Sequence, residues 1–331
     1  MLLKLSILNV KIDQSTADDL LQEVSSYLSK KSATKPLTIC TPNPEQIVYA
    51  NSHVWFCDLL NNFDIAIPDG AGIVWATKLV GSRQWAADSG QRVLGRSSQL
   101  QTANYKLPTL KRIPGVEFME GLVKLAAKEN HPVAFIGGRN GVVEKALDRL
   151  KKQYPGLSGW AEETPEFEIK REAGSGKWEE TIFLYSLRFT LNPSLFECEK
   201  YFEQLALRIK ETGIKLVFVG LGAPKQELFI KQLSEQLIVN SMQSEKTNMK
   251  KTTVNYKLFT ANSLVFMSVG GAFDMLSGTI PRAPEWIQHK GLEWLWRLVH
   301  EPWRIGRQLR LFQFVWLVLK ERFMVESKDS D

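Results

Sequence analysis

A carboxylate that follows a short apolar run is the clearest candidate for acid–base chemistry in this 331-residue chain. The run at residues 65–67 predicts a strand, and Pro68, Asp69 and Gly70 predict its end. A carboxylate in that position acts as a general base if it reaches a substrate hydroxyl. Asp is also a favoured helix N-cap, so the residue type leaves both roles of Asp69 open.

A second candidate site follows the apolar run at residues 37–40. The sequence Thr41-Pro-Asn43-Pro-Glu ends that predicted strand, because proline interrupts strands and is well accepted in the first turn of a helix. The Thr41 hydroxyl and the Asn43 amide would suit hydrogen bonds to a sugar or a base. Plain helix capping is the alternative role for these side chains.

Two glycine-rich turns each join a predicted strand to a predicted helix, whose free N–H groups can bind phosphate. Neither turn matches the full dinucleotide fingerprint or a Walker A loop. Their joint occurrence favours a nucleotide diphosphate, although glycines also serve turns and the polar residues also suit an ordinary first helical turn. The candidates are Gly137 and Gly138 in the first turn and Gly220, Gly222, Gln226 and Glu227 in the second.

Strand-like and helix-like stretches alternate along the chain, which predicts βαβ units. The fold class is therefore α/β: a Rossmann-like, mostly parallel sheet with helices on both faces, plus a C-terminal amphipathic helical appendage. Ligands in such folds lie beyond the carboxyl ends of the strands. The predicted strands are 37–40, 65–67, 133–136, 216–219 and 264–269, and the predicted helices are 15–31, 44–62, 70–80, 115–130, 140–153, 196–212 and 224–237.

Polar stretches without periodicity interrupt this pattern and predict surface insertions or loops near 82–108, 161–195 and 240–257. The predicted organisation is a Rossmann-like core at 1–281 that carries these insertions, a helical appendage at 282–326 and a disordered tail at 327–331.

The bulk composition is that of an ordinary globular protein, with 44% hydrophobic and 24% charged residues. Three cysteines without a C-x-x-C pair favour a reducing compartment over a disulfide framework or a zinc site. The N-terminus lacks the apolar segment of a signal peptide, and no run of 18 apolar residues predicts a spanning helix.

The C-terminal segment combines basic and aromatic residues. Residues 282–325 hold eight Lys or Arg against four Glu, and five of the ten tryptophans. Pro302 predicts two helices. In the second helix, one narrow face carries an apolar stripe, formed by Ile305, Leu309, Phe312, Trp316, Leu319 and Phe323.

Arginine and tryptophan beside an apolar stripe are typical of a helix that lies in a membrane interface. The alternative is that the stripe docks on the core or on another subunit, and self-association would suit it equally. The arginines would also suit a departing diphosphate. No nucleic-acid motif accompanies the charge, so no nucleic-acid partner is predicted.

The ordered set of motifs resembles the WecG/TagA/CpsF glycosyltransferase family from about residue 5 to 312. The segments that carry the resemblance are Thr41-Pro-Asn-Pro-Glu45, Ile67-Pro-Asp-Gly70, Arg112-Ile-Pro-Gly115, Phe135-Ile-Gly-Gly138, Tyr154-Pro-Gly156, Gly220-Leu-Gly-Ala-Pro-Lys-Gln-Glu227, Val269-Gly-Gly-Ala-Phe-Asp274, Arg282-Ala-Pro284, Gly291-Leu-Glu-Trp294, Arg297 and Glu301-Pro-Trp-Arg304.

The resemblance implies an inverting, metal-independent transferase with no cofactor. It would move an N-acetylmannosamine-type sugar from UDP to a polyprenyl-diphosphate-linked N-acetylglucosamine at the inner leaflet of the cytoplasmic membrane, for teichoic acid or another surface polysaccharide. Asp69 matches the family's proposed base. Thr41, Asn43 and Gln226 match pocket residues, Arg112 matches a substrate-binding arginine, and Arg297, Arg304 and Arg307 match tail arginines that close over the site.

The three insertions are departures from the family pattern and bear on donor or acceptor choice. No Asp-x-Asp metal motif follows a predicted strand, so arginines and helix N-termini would stabilise the leaving diphosphate. Two other hypotheses remain at this point: a nucleotide-dependent oxidoreductase on the same fold, and a non-catalytic membrane-surface interaction protein.

Overall fold

A computed structural model divides the chain into two compact units, and each is described by itself. The first unit comprises Met1–Asp19, Thr41–Pro114 and Ala283–Asp331, and the second comprises Leu20–Cys40 and Gly115–Arg282. The chain thus passes from the second unit back to the first next to the boundary predicted at 281/282. The structure describes residues 4–30, 33–88, 110–173, 183–189, 195–248, 263–281, 283–284, 286–287, 293–300 and 305–328.

The strands are β1 (Lys4–Ile7), β2 (Val10–Asp13), β3 (Leu37–Cys40), β4 (Ile65–Ala66), β5 (Val133–Gly137), β6 (Gly159–Glu162), β7 (Phe167–Ala173), β8 (Phe183–Phe189), β9 (Leu216–Gly220) and β10 (Val265–Ser268). The helices are α1 (Ala17–Leu28), α2 (Pro44–Ser52), α3 (Val54–Asn61), α4 (Ala71–Asp88), α5 (Gly115–Glu129), α6 (Val142–Gln153), α7 (Leu195–Glu211), α8 (Lys225–Asn248), α9 (Ala272–Leu276), α10 (Glu293–His300) and α11 (Ile305–Lys328).

The second unit contains five of the six strands of a parallel sheet, in the order β3-β10-β9-β5-β6. Every residue of β5 and of β10 is buried, because helices cover both faces of a parallel sheet. Phenylalanines fill the interior: the Phe135 ring lies 5.3 Å from that of Phe218 and 5.2 Å from that of Phe273. The predicted fold class is confirmed, and the five predicted strands fall within one residue of the observed ones.

The first unit begins with an antiparallel hairpin, β1–β2, in which Lys4 pairs with Asp13. Leu8 and Asn9 form its turn with positive φ angles of 47° and 69°, as a two-residue hairpin turn requires. The Asn61 side chain fixes the turn region by donating to Asn9 O at 2.8 Å and accepting from Lys11 N at 2.8 Å.

Several predicted boundaries differ from the structure. The predicted helix 44–62 is two helices that meet at His53, whose backbone is extended; Asn51 and Ser52 just before it are weak helix formers. Helix α8 continues to Asn248, well into the loop predicted from 240, because residues 225–248 contain no glycine or proline. The predicted loop near 161–195 contains the antiparallel pair β7–β8. Residues 89–109, 249–262 and 329–331 lie outside the described residues.

In the described part of the C-terminal segment, α10 ends before Pro302 and α11 begins after it, in agreement with the prediction. Helix α11 is apolar on opposite sides. Phe314 and Val318 are fully buried, whereas three residues of the predicted stripe, Leu309, Phe312 and Trp316, are exposed by 66%, 71% and 58%. In the described part of the chain, no helix is both long and apolar enough to cross a bilayer.

Candidate active site

The Asp69 carboxylate lies on the loop between β4 and α4 and is half-buried, so it is not enclosed in the packed interior. Backbone hydrogen bonds fix this loop on both sides. Asp69 N donates to Pro42 O at 3.2 Å, and Ile113 N donates to Pro68 O at 3.1 Å. The structure therefore brings the segments that carry Thr41, Asn43, Asp69 and Arg112 together within the first unit.

Strand β4 is anchored from the N-terminal hairpin. The Asp13 carboxylate is fully buried and accepts a hydrogen bond from Ala66 N at 2.6 Å. Lys4 Nζ lies 3.6 Å from the same carboxylate and donates to the carbonyl oxygen of Asp64 at 2.8 Å. Burial raises the pKa of Asp13, while the Ala66 N–H and Lys4 favour its ionised form. Sequence reasoning missed this pair because β1 and β2 carry no recognisable motif.

Asn43 acts as the N-cap of α2, the alternative role left open by the sequence. Its Oδ1 accepts from Gln46 N at 3.0 Å, and the Gln46 side chain accepts from Asn43 N at 3.2 Å, which completes a capping box. The cap engages only the oxygen of the Asn43 amide. Thr41 is 7% exposed and lies directly after β3.

Arg112 lies one residue before Ile113, whose N–H bonds the loop of Asp69. Leu110 and Ile113 are buried. Arg112, which lies between these two residues in the sequence, is half-buried. The backbone hydrogen bond of Ile113 thus links the segment of Arg112 to the loop of the candidate base, and a guanidinium group in this segment suits an anionic or sugar ligand. Its predicted substrate contact stays a prediction.

Helix α11 packs against the beginning of α2 and α4. A Cβ atom built on Gly72 would lie 2.8 Å from Pro44 Cγ and 3.6 Å from both Leu311 Cδ1 and Phe314 Cε1, so glycine permits this close approach. Arg310 forms an ion pair with Glu45 at 2.9 Å. The backbones of Arg297 and Arg307 lie in α10 and α11, and Arg304 lies outside the described residues.

The glycines at the ends of β5 and β9 have a packing role. Gly137 and Gly220 are paired in register, and a Cβ atom on Gly137 would lie 2.6 Å from Gly220 O. A Cβ atom on Gly220 would lie 2.6 Å from the Phe273 ring. Gly138 has a φ of 72° and donates its N–H to Gly220 O at 3.2 Å. These three glycines are required by the sheet itself, whatever else they bind.

A carboxylate already occupies the N-terminus of α6. Glu163 accepts a hydrogen bond from the backbone N–H of Gly141, the N-cap residue of that helix. Arg139 in the same turn pairs with Glu166 at 2.7 Å. The segment after β6 thus places negative charge where the sequence predicted a phosphate, and nothing in the local sequence signals this contact.

The loop after β9 retains an open glycine. Gly222 has a φ of 72°, and an added Cβ atom would meet no atom of the described residues within 4 Å. Its backbone is therefore accessible to a ligand, in contrast to Gly137 and Gly220. Of the two predicted glycine turns, the structure favours the second as a ligand-binding loop.

Gln226 and Glu227, at the start of α8, are 1% and 0% exposed. Gln226 Nε2 donates to Glu227 Oε1 at 2.7 Å, and Gln226 Oε1 accepts from Gly270 N at 2.9 Å. Burial raises the pKa of Glu227 to about 7, while the Gln226 amide, its own N–H and the Ser268 hydroxyl favour the ionised form. Sequence reasoning identified both side chains and the segment that contains Gly270, but it did not predict the hydrogen bond between Gln226 and Gly270.

Residues 5–95, 90–244 and 253–328 match the profile of the WecG/TagA/CpsF glycosyl transferase family. The chain belongs to this family. The glycosyltransferase is also similar to curated proteins along nearly its whole length. The enzymes named N-acetylglucosaminyldiphosphoundecaprenol N-acetyl-beta-D-mannosaminyltransferase from Staphylococcus aureus strains MW2, NCTC 8325 / PS 47 and MRSA252 are each 25% identical over 324 residues, which is 98% of this chain and 95% of each relative.

Membership confirms the resemblance predicted from the motifs and makes the protein an enzyme, a glycosyltransferase. It favours this class over the oxidoreductase and the non-catalytic protein that the sequence had left open. Within the transferase, the first unit holds the acid–base candidate and the second holds the glycine-rich loops.

Proposed function

We propose that this glycosyltransferase moves an N-acetylmannosamine-type sugar from a UDP-sugar to a polyprenyl-diphosphate-linked N-acetylglucosamine, in the synthesis of a cell-wall or surface polysaccharide. The names of the staphylococcal relatives support this donor sugar and acceptor. The observation that carries the chemistry is the position of Asp69, half-exposed on a loop fixed by backbone hydrogen bonds to Pro42 and from Ile113.

The proposed reaction is a single displacement with inversion. The Asp69 carboxylate removes the proton from the acceptor hydroxyl while that oxygen forms a bond to the anomeric carbon. The bond between the anomeric carbon and the diphosphate oxygen breaks, and UDP leaves with the electron pair. The charge that develops on UDP requires stabilisation.

The mechanism that we propose uses no metal ion. Arginine binds diphosphate oxygens through two parallel hydrogen bonds, so Arg112 and the tail residues Arg297, Arg304 and Arg307 are proposed for this task. The accessible backbone at Gly222 supports a nucleotide on the loop after β9. Thr41 and the free end of the Asn43 amide are proposed to bind sugar.

The outward face of α11 supports a peripheral position on the cytoplasmic face of the membrane. Leu309, Phe312 and Trp316 are exposed on a helix whose opposite face is already packed. Trp286 and Val299, exposed by 61% and 68%, add apolar surface in the same C-terminal segment. An exposed apolar stripe with basic neighbours binds anionic bilayers, with roughly 1 kcal/mol contributed by each basic residue near the surface.

A transfer assay tests the proposal. Purified full-length protein is mixed with UDP-N-acetylmannosamine and a lipid-linked N-acetylglucosamine diphosphate, and UDP release and the disaccharide product are measured with and without EDTA. We expect product with a β-linkage from an α-linked donor, unaffected by EDTA. Release of UDP only from another donor sugar would overturn the sugar assignment, and complete inhibition by EDTA would overturn metal independence.

A further inference from the structure

We propose that Glu227 is a positioning residue that orients the Gln226 amide, so that Gln226 holds the backbone N–H of Gly270 and sets the spacing of the loops after β9 and β10. The inference rests on the proposed function, because these loops lie at the sheet edge where the donor is expected to bind. It assigns Glu227 a role through its neighbours, and the sequence-based prediction had assigned it a direct contact.

The hydrogen-bond pattern carries the argument. A glutamine amide has a donor end and an acceptor end, and Gly270 N–H requires the acceptor. Glu227 Oε1 accepts from Gln226 Nε2 at 2.7 Å, and this bond leaves Gln226 Oε1 directed to Gly270 N at 2.9 Å. If the amide turned by 180°, two donors would face each other at Gly270 and two acceptors at Glu227. The carboxyl therefore selects one amide orientation.

Burial strengthens the preference of the Gln226 amide for this orientation. Both side chains are almost completely enclosed, and a hydrogen bond inside protein is stronger and more costly to break than the same bond in water. Side chains so enclosed have little surface with which to touch a substrate. Their effect on catalysis must then pass through the backbone that they hold.

Gly270, whose backbone N–H is bound by Gln226, lies at the end of the sheet where the donor is expected to bind. Gly270 has a φ of 54° and opens the turn into α9, directly after β10. Val269 N donates to Val219 O at 2.9 Å, so the ends of β9 and β10 are adjacent. The open glycine Gly222 lies on the β9 side of this junction. The Gln226–Glu227 pair thus links the accessible loop to its neighbour.

Three variants test the role. Glu227→Gln keeps an acceptor for Gln226 Nε2, so we expect kcat/KM within about threefold of wild type. Glu227→Leu removes the acceptor, so we expect kcat/KM to fall on the order of 10²-fold, as for a misplacement of about 1 Å. Phe202→Leu is the matched control: it alters a buried ring that packs on Phe229, so it should lower Tm while kcat/KM of the folded enzyme stays within about threefold.

A second measurement does not depend on turnover. Hydrogen exchange of the Gly270 amide should be slow in wild type and in Glu227→Gln, and faster by at least about tenfold in Glu227→Leu. If Glu227→Leu does not fold, Gln226→Met, which removes the acceptor for Gly270, should give the same faster exchange. Unchanged Gly270 exchange in the folded variant overturns the proposal.

The outcomes separate this inference from the proposed function. Wild-type protein that transfers no sugar but shows the expected exchange pattern refutes the function and supports the positioning contact. A Glu227→Gln enzyme as inactive as Glu227→Leu, with Gly270 still protected, shows that the carboxylate itself acts on substrate and overturns the inference. Full activity in Glu227→Leu also overturns it.

Discussion

The backbone N–H of Asp69 donates a hydrogen bond to the carbonyl oxygen of Pro42, with a nitrogen–oxygen distance of 3.2 Å. This bond joins the loop of the candidate base to the loop that carries Thr41 and Asn43. Neither partner uses its side chain, so substitution of Asp69 should leave the junction intact. Effects of such a substitution on activity can then be assigned to the carboxylate.

Asp69→Asn should abolish proton removal without disturbing the fold. We expect kcat to fall by about 10²- to 10⁴-fold, the usual contribution of a general base, with Tm within about 2 °C of wild type. UDP release in the presence of acceptor measures the loss, and circular dichroism measures Tm. Asp58→Asn, at an exposed position on α3, is the control. Wild-type turnover by folded Asp69→Asn would remove this residue from the mechanism.

Two substitutions of Asn43 separate its capping role from a substrate contact. Asn43→Ala should lower the free energy of unfolding by about 1 kcal/mol, because the Gln46 N–H loses its acceptor. Asn43→Asp retains an acceptor and should keep the stability. If the amide nitrogen binds substrate, Asn43→Asp raises KM although urea unfolding is unchanged; equal kinetics in Asn43→Asp and wild type would restrict Asn43 to the cap.

The two faces of α11 should respond differently to substitution. Phe312→Glu changes an exposed ring, so we expect reduced flotation with anionic vesicles and an unchanged Tm. Phe314→Ala changes a fully buried ring and should lower the free energy of unfolding by about 3–5 kcal/mol. Wild-type flotation by Phe312→Glu, Trp316→Glu and their combination would argue against the outer face as the membrane contact.

Gly220, the last residue of β9, and Gly222, in the loop after it, should also respond differently to substitution. Gly220→Ala brings a Cβ atom to 2.6 Å from the Phe273 ring and should lower Tm by several degrees or prevent folding. Gly222→Ala places its Cβ atom more than 4 Å from every described residue outside its own turn, so we expect the loss of stability to equal the strain of a positive φ, about 1–2 kcal/mol. Its larger effect should be on KM for the UDP-sugar. An unchanged KM would argue against this loop as a phosphate site.

Glu227 should make stability depend on pH. Burial raises the pKa of its carboxyl from an ordinary 4.5 to about 7 in the folded state, so the folded protein binds the proton more tightly than the unfolded chain. The free energy of unfolding therefore falls as pH rises from about 4.5 to about 7, by roughly 3 kcal/mol, and levels off above that range. Glu227→Gln removes this pH dependence of the free energy of unfolding, because the glutamine amide does not titrate.

Urea unfolding at pH 5 and pH 8 provides the measurement. Glu227→Gln should resemble wild type at pH 5, where the wild-type carboxyl is mostly neutral in the folded protein, and should be the more stable protein at pH 8. The same difference in stability between the two proteins at both pH values would show that the folded-state pKa of Glu227 is not raised.

The sequence predicts the strands and most helices because each is a compact run with a clear period. It does not predict how far α8 continues, since the polar stretch at 240–248 has no apolar stripe to mark it as helical. Strand β7 is missed for a related reason, because its charged residues beside Gly-Ser-Gly have the composition of a loop. Strand β8 contains five apolar or aromatic residues but lies within the stretch predicted as an insertion. Hydrophobic periodicity in the sequence identifies a helix or strand only where one face of that element is buried.

In the candidate site too, local motifs were predicted from the sequence and contacts between distant residues were not. Asp69, Asn43 and the glycine turns are local signals and were found in the chain. The Glu163 carboxylate at Gly141, the Asp13 contact with Ala66 and the Gln226 bond to Gly270 join residues 22, 53 and 44 positions apart. Contacts at such separations depend on tertiary packing, so a single sequence does not reveal them.

Helix α11 has one face against Pro44 and Gly72 and exposed apolar side chains on the other, so in the proposed membrane contact it would also act as a spacer. A helix is about 10 Å across, so the first turns of α2 and α4, against which α11 packs, would lie roughly that far from any surface that the outer side meets. That distance matches the depth of a lipid headgroup layer better than that of an acyl chain. The reactive hydroxyl of a lipid-linked acceptor could then be reached with its hydrocarbon tail still in the bilayer, and encounters between enzyme and acceptor would be confined to two dimensions.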